Sequence, residues 1–508
     1  MLDGQQRLTA GIQMFYPQAG GHQYYIDLKV LVSLMSDKSA VLDDESSVEQ
    51  FVASIDHQDG YIVSKKGGGD PRAHLLSRHL ISTSILVDKK KFSQARDDYL
   101  EIFPDQRKFF SRLIEPYFCS FGADAIPVIE IPTNTGLDSI ARIFTTLNTT
   151  GQLLTPFELV VAKLYPSGIE LDREVKELKE SKVYYPRMDA TGEILLQTIA
   201  LLAGLDPKKA NLPRTIKGDN YKAHKDEAVL ALDELGKFLT DQIGAGLDST
   251  ATESLVPYDA IFAPMAVALR EVRTSSLPPP KKASLERILE QWYIASALSQ
   301  RYQEGVHNKQ EKDLRDFRLV IAGETAELPM LVGISYKRLI NANPSGAIGK
   351  LVRCLLNLQH PKDPMTEHPV GYSGSTASTE KHHIFPMRWV SAGLNGWSSK
   401  EHTADLALNL MLVEEKTNKR WVNFSPKDQV GDLLNQGRKL ERVREQYRVQ
   451  HIPSNAFDIL QRGGLTASDF TDFLVMREAA IQKFIRDRFG LDVSGGGAED
   501  TDSDEDLT

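Results

Sequence analysis

From Glu170 to about Leu358 apolar residues recur at three- and four-residue spacing with few strand-like runs between them. Gly192 to Leu205, Lys225 to Ile243, Ala260 to Val272 and Ser284 to Tyr302 all show it. That period paints an apolar stripe along one side of a helix, and a stripe of this kind is stable only when other helices cover it. The spacing therefore predicts a helical scaffold through the middle of the chain. Pro278-Pro279-Pro280, followed by two lysines, interrupts it, because proline cannot continue a helix and disfavours helix in the residue before it. It marks either an exposed loop between helices or a subdomain joint. No repeat of fixed period is visible.

The flanks read differently. β-branched and aromatic runs at Tyr24 to Val32, Tyr61 to Val63 and Ala125 to Ile131 predict strands, and Ser93 to Tyr117 predicts a helix with a charged face. This mixture, up to about Tyr165, predicts an α+β domain. The chain opens at Met1 as though inside a domain: the turn Asp3-Gly4 leads straight into a helical stretch, and a preceding segment is expected. On the other side, a stretch rich in Pro, Gly, Ser and Thr from His360 to Thr379 precedes a compact segment from His382 to about Pro426, then further helices to about Phe489. The expected organisation is an α+β domain over 1–165, a helical scaffold over 166–359, a C-terminal domain over 360–490 and a disordered acidic tail over 491–508. The fold class is thus multidomain, mainly α with α+β parts.

The net charge of −9 is concentrated in that tail. Seven acids and no base lie between Asp492 and Thr508, so the body carries only −2 and is free to present a local basic face. The two cysteines, Cys119 and Cys354, are too far apart in sequence for a CxxC pair, a disulfide framework or a thiolate zinc cage. No apolar run approaches the roughly 20 residues of a membrane span, and the N-terminus lacks a secretory pattern, so no membrane association and a cytoplasmic location are expected.

The chemistry concentrates in His382-His383-Ile384-Phe385-Pro386, followed by Asn409-Leu410 and then Asn418. Phosphodiester hydrolysis with a single metal needs a general base to activate water and a divalent cation to stabilise the scissile phosphate and the leaving oxygen. A histidine, with an unperturbed pKa of roughly 6.5, suits the base. A second histidine and an asparagine carbonyl can hold the cation, and an oxygen-rich shell completed by water suits Mg²⁺. The bland alternative is a buried His-His turn stopped by Pro386, with asparagines that merely cap helices. His360, His368 and His402 lie nearby in polar stretches and read as surface residues. Arg438, Lys439, Arg442, Arg444 and Arg448 read as one basic stretch, either a phosphate-contacting face or, with Glu441 and Glu445 interleaved, a salt-bridged one.

The His-His-Ile-Phe-Pro, Asn-Leu and Asn elements resemble the HNH (ββα-metal) nucleases. The resemblance implies that His383 is the general base, that His382 and Asn418 are metal ligands, and that Asn409 orients the loop and the base. It departs in having His382 where Asp or Glu is common, and in lacking the zinc-knuckle cysteines of many HNH proteins.

At the other end, Asp3-Gly4-Gln5-Gln6-Arg7 places a turn, two amides and a guanidinium before a helix, a plausible phosphate site. It resembles the signature of the ParB/sulfiredoxin-like NTPase domain at the front of GmrSD-type, modification-dependent (type IV) restriction endonucleases. Ile143 to Pro156 is similar to a second block of that family, and its members, like the related phosphorothioate-sensing defence nucleases, end in an HNH domain. The resemblance implies a partial ParB/sulfiredoxin-like domain with NTP bound by Asp3, Gly4, Gln5, Gln6 and Arg7, followed by a helical middle and an HNH domain. It implies an Mg²⁺-dependent endonuclease or nickase acting on DNA, modified foreign DNA above all, under nucleotide control. The family carries a substantial segment ahead of the Asp-Gly-Gln-Gln-Arg block, so this chain reads as a late start or a truncated homologue. Two alternatives stand beside the enzyme: a non-catalytic, nucleotide-responsive DNA-binding protein, and an inactive remnant.

Overall fold

The computed structural model describes residues 25–29, 76–111, 155–248, 250, 253–303, 306–332, 336–373, 378–398 and 403–493. The chain forms two compact units, Met1–Ile140 and Ala141–Thr508. The described residues are mainly helical, and among them no helix is long and apolar enough to cross a membrane.

In the first unit, β1 (Tyr25–Asp27) pairs antiparallel with β2 (Leu80–Ser82), Tyr25 opposite Ser82. Helix α1 (Lys89–Ile102) starts at Asp88, whose carboxylate accepts from the backbone N–H groups of Lys90 and Lys91. The helix expected from Ser93 onward ends at Ile102 because Pro104 follows: Phe103 is driven out of the helical region, to φ −126 and ψ 73. The strands expected at Tyr61 to Val63 and Ala125 to Ile131 lie outside the described residues, as do Asp3 to Arg7.

Among the described residues the first helix of the second unit is α2 (Pro156–Leu164). A capping box opens it: Thr155 Oγ1 accepts from Glu158 N while Glu158 accepts from Thr155 N at 2.7 Å, and Pro156 takes the first helical position, where no N–H is needed. There follow α3 (Leu171–Ser181), α4 (Glu193–Leu202), α5 (Gly218–Ile243), α6 (Phe262–Thr274), α7 (Pro279–Leu298), α8 (Val306–Ala322) and α9 (Ala347–Leu358). Helices α4, α5 and α6 pack on one another, and α6 is buried from Phe262 through Leu269; its alanines at 263, 266 and 268 let neighbours approach on several sides. The proline triplet departs from expectation. Pro279 and Pro280 fill the first turn of α7, where a missing N–H costs nothing, so the triplet starts a helix and the exposed loop lies just before it.

Helix α9 links this scaffold to the C-terminal segment. It packs on α5 and α7 on one side, and on strand β4 (Leu410–Glu414) and the 407–409 turn on the other. Gly244, which ends α5 at φ +81, is required there twice over, since a Cβ would also stand 2.4 Å from the Cys354 carbonyl oxygen of α9. One continuous apolar core runs from Phe157 to Val493, so 166–359 and 360–490 share a core. Leu491 and Val493, placed by the sequence in the tail, are buried in that core, and 494–508 lie outside the described residues.

Candidate active site

Strand β3 (Thr379–His383) pairs antiparallel with β4, with His382 opposite Met411 and His383 opposite Leu410. Side chains alternate along a strand, so the two adjacent histidines face opposite ways. His382 is 2% exposed and turned into the core, whereas His383 is half-buried on the other face. After the short helix α10 (Met387–Gly393) and strand β4 comes helix α11 (Glu415–Trp421), which follows β4 without a loop and packs on both strands. It brings Asn418 Oδ1 to 2.9 Å from His382 Nδ1 and lays the Trp421 ring edge-on at 5.6 Å from the imidazole. Trp421 is fixed in turn, its Nε1–H donating to Asp432 at 3.0 Å.

Burial pushes the His382 pKa down to about 4, against the hydrogen bond with Asn418, which raises it. The ring is therefore neutral at physiological pH, the form that can donate a lone pair to a metal. An amide oxygen only accepts, so in the geometry seen Nδ1 carries the proton and Nε2 the lone pair. Nε2 is buried with no hydrogen-bond partner, and so is Gln429 Oε1.

His383 Nε2 lies 3.0 Å from Asp405 Oδ1. A carboxylate can only accept, so Nε2 donates and the Nδ1 lone pair is left available to take a proton. Asn409 ties the turn that follows: Oδ1 accepts from Phe385 N at 2.9 Å, while Nδ2 donates to the carbonyls of Phe385 at 3.0 Å and Ala404 at 2.8 Å. Its own carbonyl accepts from Ile384 N at 2.8 Å. The Phe385 turn and the Ala404-Asp405 stretch are thus held by one side chain, which sets Asp405 beside His383.

Three residues of this arrangement were not singled out from the sequence. Asp405 is four residues before Asn409. Gln429 lies on α12 (Pro426–Asn435) and donates to the Ile384 carbonyl at 3.1 Å. Asp363, fully buried in the stretch read as a break, accepts from Thr417 Oγ1 on α11 at 2.9 Å and from Glu414 N at 2.7 Å, which fixes how α11 leaves β4.

Other candidates fall away from the site. His368 Nδ1 pairs with Glu414 at 2.7 Å, His360 is exposed, and His402 lies outside the described residues. Among the described residues no three His, Cys, Asp or Glu side chains gather as a ligand cluster. The basic stretch is a salt-bridged face: Arg438 and Arg442 meet Glu367, Arg444 meets Asp458 at 2.8 Å, and Arg448 meets Glu445 at 2.6 Å.

The donors present fit a small divalent cation in part. Two neighbouring ligands of an octahedral Mg²⁺, each at about 2.1 Å, stand about 3.0 Å apart. His382 Nδ1 and Asn418 Oδ1, at 2.9 Å, already have that separation. Two protein ligands, with water and phosphate making up the rest, is the shell Mg²⁺ commonly takes.

No family model matches the chain. It is 22% identical over 528 residues to an uncharacterized protein of Methanocaldococcus jannaschii, an alignment that covers 95% of this chain and 83% of that protein.

Proposed function

We propose that this chain is a metal-dependent DNA endonuclease or nickase of the HNH type. The observation that carries the reading is the pairing of two unlike histidines across one strand: His382 beside Asn418 at metal-ligand spacing, and His383 oriented by Asp405 with a free Nδ1 lone pair. The antiparallel pair β3–β4 followed by α11 supports a ββα-metal arrangement. In the proposed reaction His383 Nδ1 takes a proton from water, the water oxygen bonds to phosphorus, and the bond from phosphorus to the leaving sugar oxygen breaks. Asp405 holds the ring and stabilises the imidazolium that forms. A divalent cation held by His382 and Asn418 would supply charge stabilisation at the scissile phosphate and the leaving oxygen.

The wider setting, a GmrSD-type, modification-dependent defence system acting on modified foreign DNA under NTP control, rests on the resemblance of Asp3 to Arg7 and of Ile143 to Pro156. The deep burial of His382 favours one other reading, a binding module in which the His382–Asn418 contact is a core hydrogen bond. Supercoiled plasmid separates the two. The chain should nick it in Mg²⁺ and stop in excess EDTA, and His383→Ala should slow nicking by about 10²–10⁴-fold with the fold retained. Cleavage at the parental rate by that variant, or in EDTA, would remove the assignment.

A further inference from the structure

A nuclease must hold the DNA backbone beside His383 before any bond breaks, and backbone phosphates are held chiefly by arginine and lysine. The stretch from Arg438 to Arg448 is already engaged, since its arginines meet Glu367, Asp458 and Glu445. The same holds for the rest of the C-terminal segment. Of the ten arginines between 360 and 493, nine meet a carboxylate or a backbone carbonyl. Arg420 on α11 pairs with Asp432 at 2.5 Å, Arg462 pairs with Asp469 at 3.3 Å, and Arg477 donates to the Leu408 carbonyl at 2.6 Å. Arg388 is the exception. It is exposed, and among the described residues no carboxylate, carbonyl or aromatic ring meets its guanidinium.

The place of Arg388 gives that freedom its meaning. It stands on α10, five residues after His383, so the two Cα atoms are at most about 18 Å apart. Phosphates of one strand recur about every 3.4 Å along a duplex axis, and the guanidinium can therefore meet the strand within about five nucleotides of a phosphate at His383. The helix that carries it is well anchored. Asn409 ties both backbone groups of Phe385, Val390 N donates to the Pro386 carbonyl at 2.9 Å, Val390 is buried, and the Trp389 ring lies 6.3 Å from that of Phe385. Helix α10 thus turns Trp389 and Val390 inward and leaves Met387 and Arg388 exposed. Arg438 or Arg444 would have to leave a carboxylate before meeting a phosphate, whereas Arg388 has none to leave. Lys416 and Lys427 are exposed and likewise without a partner among the described residues, but an ammonium adds charge without the planar fork that fixes a phosphate.

We infer that Arg388 clamps a backbone phosphate of the DNA strand beside His383, a bidentate contact that sets the strand on the site without reading its sequence. The inference rests on the endonuclease reading, which assigned no residue to holding DNA.

The test is equilibrium binding of the full chain to a labelled, unmodified DNA duplex over a range of salt, in EDTA and again in Ca²⁺. Arg388→Ala should weaken binding by about tenfold or more at fixed salt, the loss of one charge-assisted contact. It should also lower the slope of log affinity against log salt by about 0.9, the counterion released by one neutralised phosphate. Arg388→Lys should restore the slope, because the charge returns, but only part of the affinity, because the fork does not. Arg444→Ala, which frees Asp458, should change neither. In Mg²⁺, Arg388→Ala should raise the plasmid concentration for half-maximal nicking by about the same factor as it weakens binding. Parental affinity and slope in Arg388→Ala would overturn the role of Arg388 and leave the endonuclease standing. Binding that depends on Arg388 in a chain that does not nick in Mg²⁺ would remove the endonuclease and leave the phosphate contact. A parental chain that binds no DNA overturns both.

Discussion

Acidification from pH 7.5 to 5 tests the reasoning about His382 without any assay of activity. Its folded pKa is depressed to about 4 by burial, whereas the unfolded chain titrates near 6.5. The unfolded state therefore takes up the proton first. The stability conferred by the neutral buried ring is complete above pH 6.5 and is lost as pH falls from 6.5 towards 4. At pH 5 the loss from this one residue is about 2 kcal/mol. His451 is held down to about 4 by burial, then by the Arg477 cation, and adds about 2 kcal/mol of its own. Urea unfolding in EDTA, followed by tryptophan fluorescence, reads the relevant unit, since Trp292, Trp389, Trp397 and Trp421 all lie in Ala141–Thr508. His382→Asn will lower stability at every pH through lost packing, so the quantity to compare is the change between the two pH values. That change should shrink by about 2 kcal/mol in His382→Asn, by a similar amount in His451→Gln, and by their sum in the double variant. An unaltered pH dependence in His382→Asn would show that the ring is not buried neutral, and its reading as a neutral metal ligand would fall with it.

Two further outcomes are expected. Asn418→Ala removes one of two protein ligands and should raise the Mg²⁺ concentration for half-maximal nicking by about tenfold or more, checked by titrating metal at fixed plasmid; an unchanged midpoint would exclude Asn418 from the metal. Arg7→Ala should abolish NTP binding by the full chain in calorimetry while leaving Mg²⁺-dependent nicking measured without NTP unchanged, because a guanidinium–phosphate contact has no uncharged substitute; no NTP binding by the parent would leave Asp3 to Arg7 without a role in nucleotide control.

The helical scaffold was legible because its stripes recur at helical spacing over many turns, and the errors came where one local rule has two outcomes. Proline stops a helix from inside but starts one from its first turn, and Pro278 to Pro280 could be read either way until α7 was seen to begin at Pro279. The basic stretch was undecidable for a different reason. Whether Arg438 and Arg444 are free depends on Glu367 and Asp458, which lie outside that stretch and arrive by folding. His382, His383, Asn409 and Asn418 stand out in sequence because their spacing follows from two strands and a helix of set length. Asp363, Asp405 and Gln429 do not, because each acts through a contact made in space from a loop or a separate helix.

The division of labour between His382 and His383 follows from the two-residue period of a strand. The residues are chemically identical neighbours, yet one backbone step turns the first into the core beside Asn418 and Trp421, and the second towards Asp405 and solvent. Burial keeps the first neutral. The second is partly exposed and is held at Nε2 by Asp405. A slip of one residue in the β3–β4 register would exchange the two environments and abolish both roles at once. The register is held from beyond the strands: Asn409 grips Phe385 through two hydrogen bonds, Gln429 grips Ile384, and Asp363 grips Glu414. Those grips lie just past the C-terminal end of β3 and at the C-terminal end of β4, which is where a slip would have to begin.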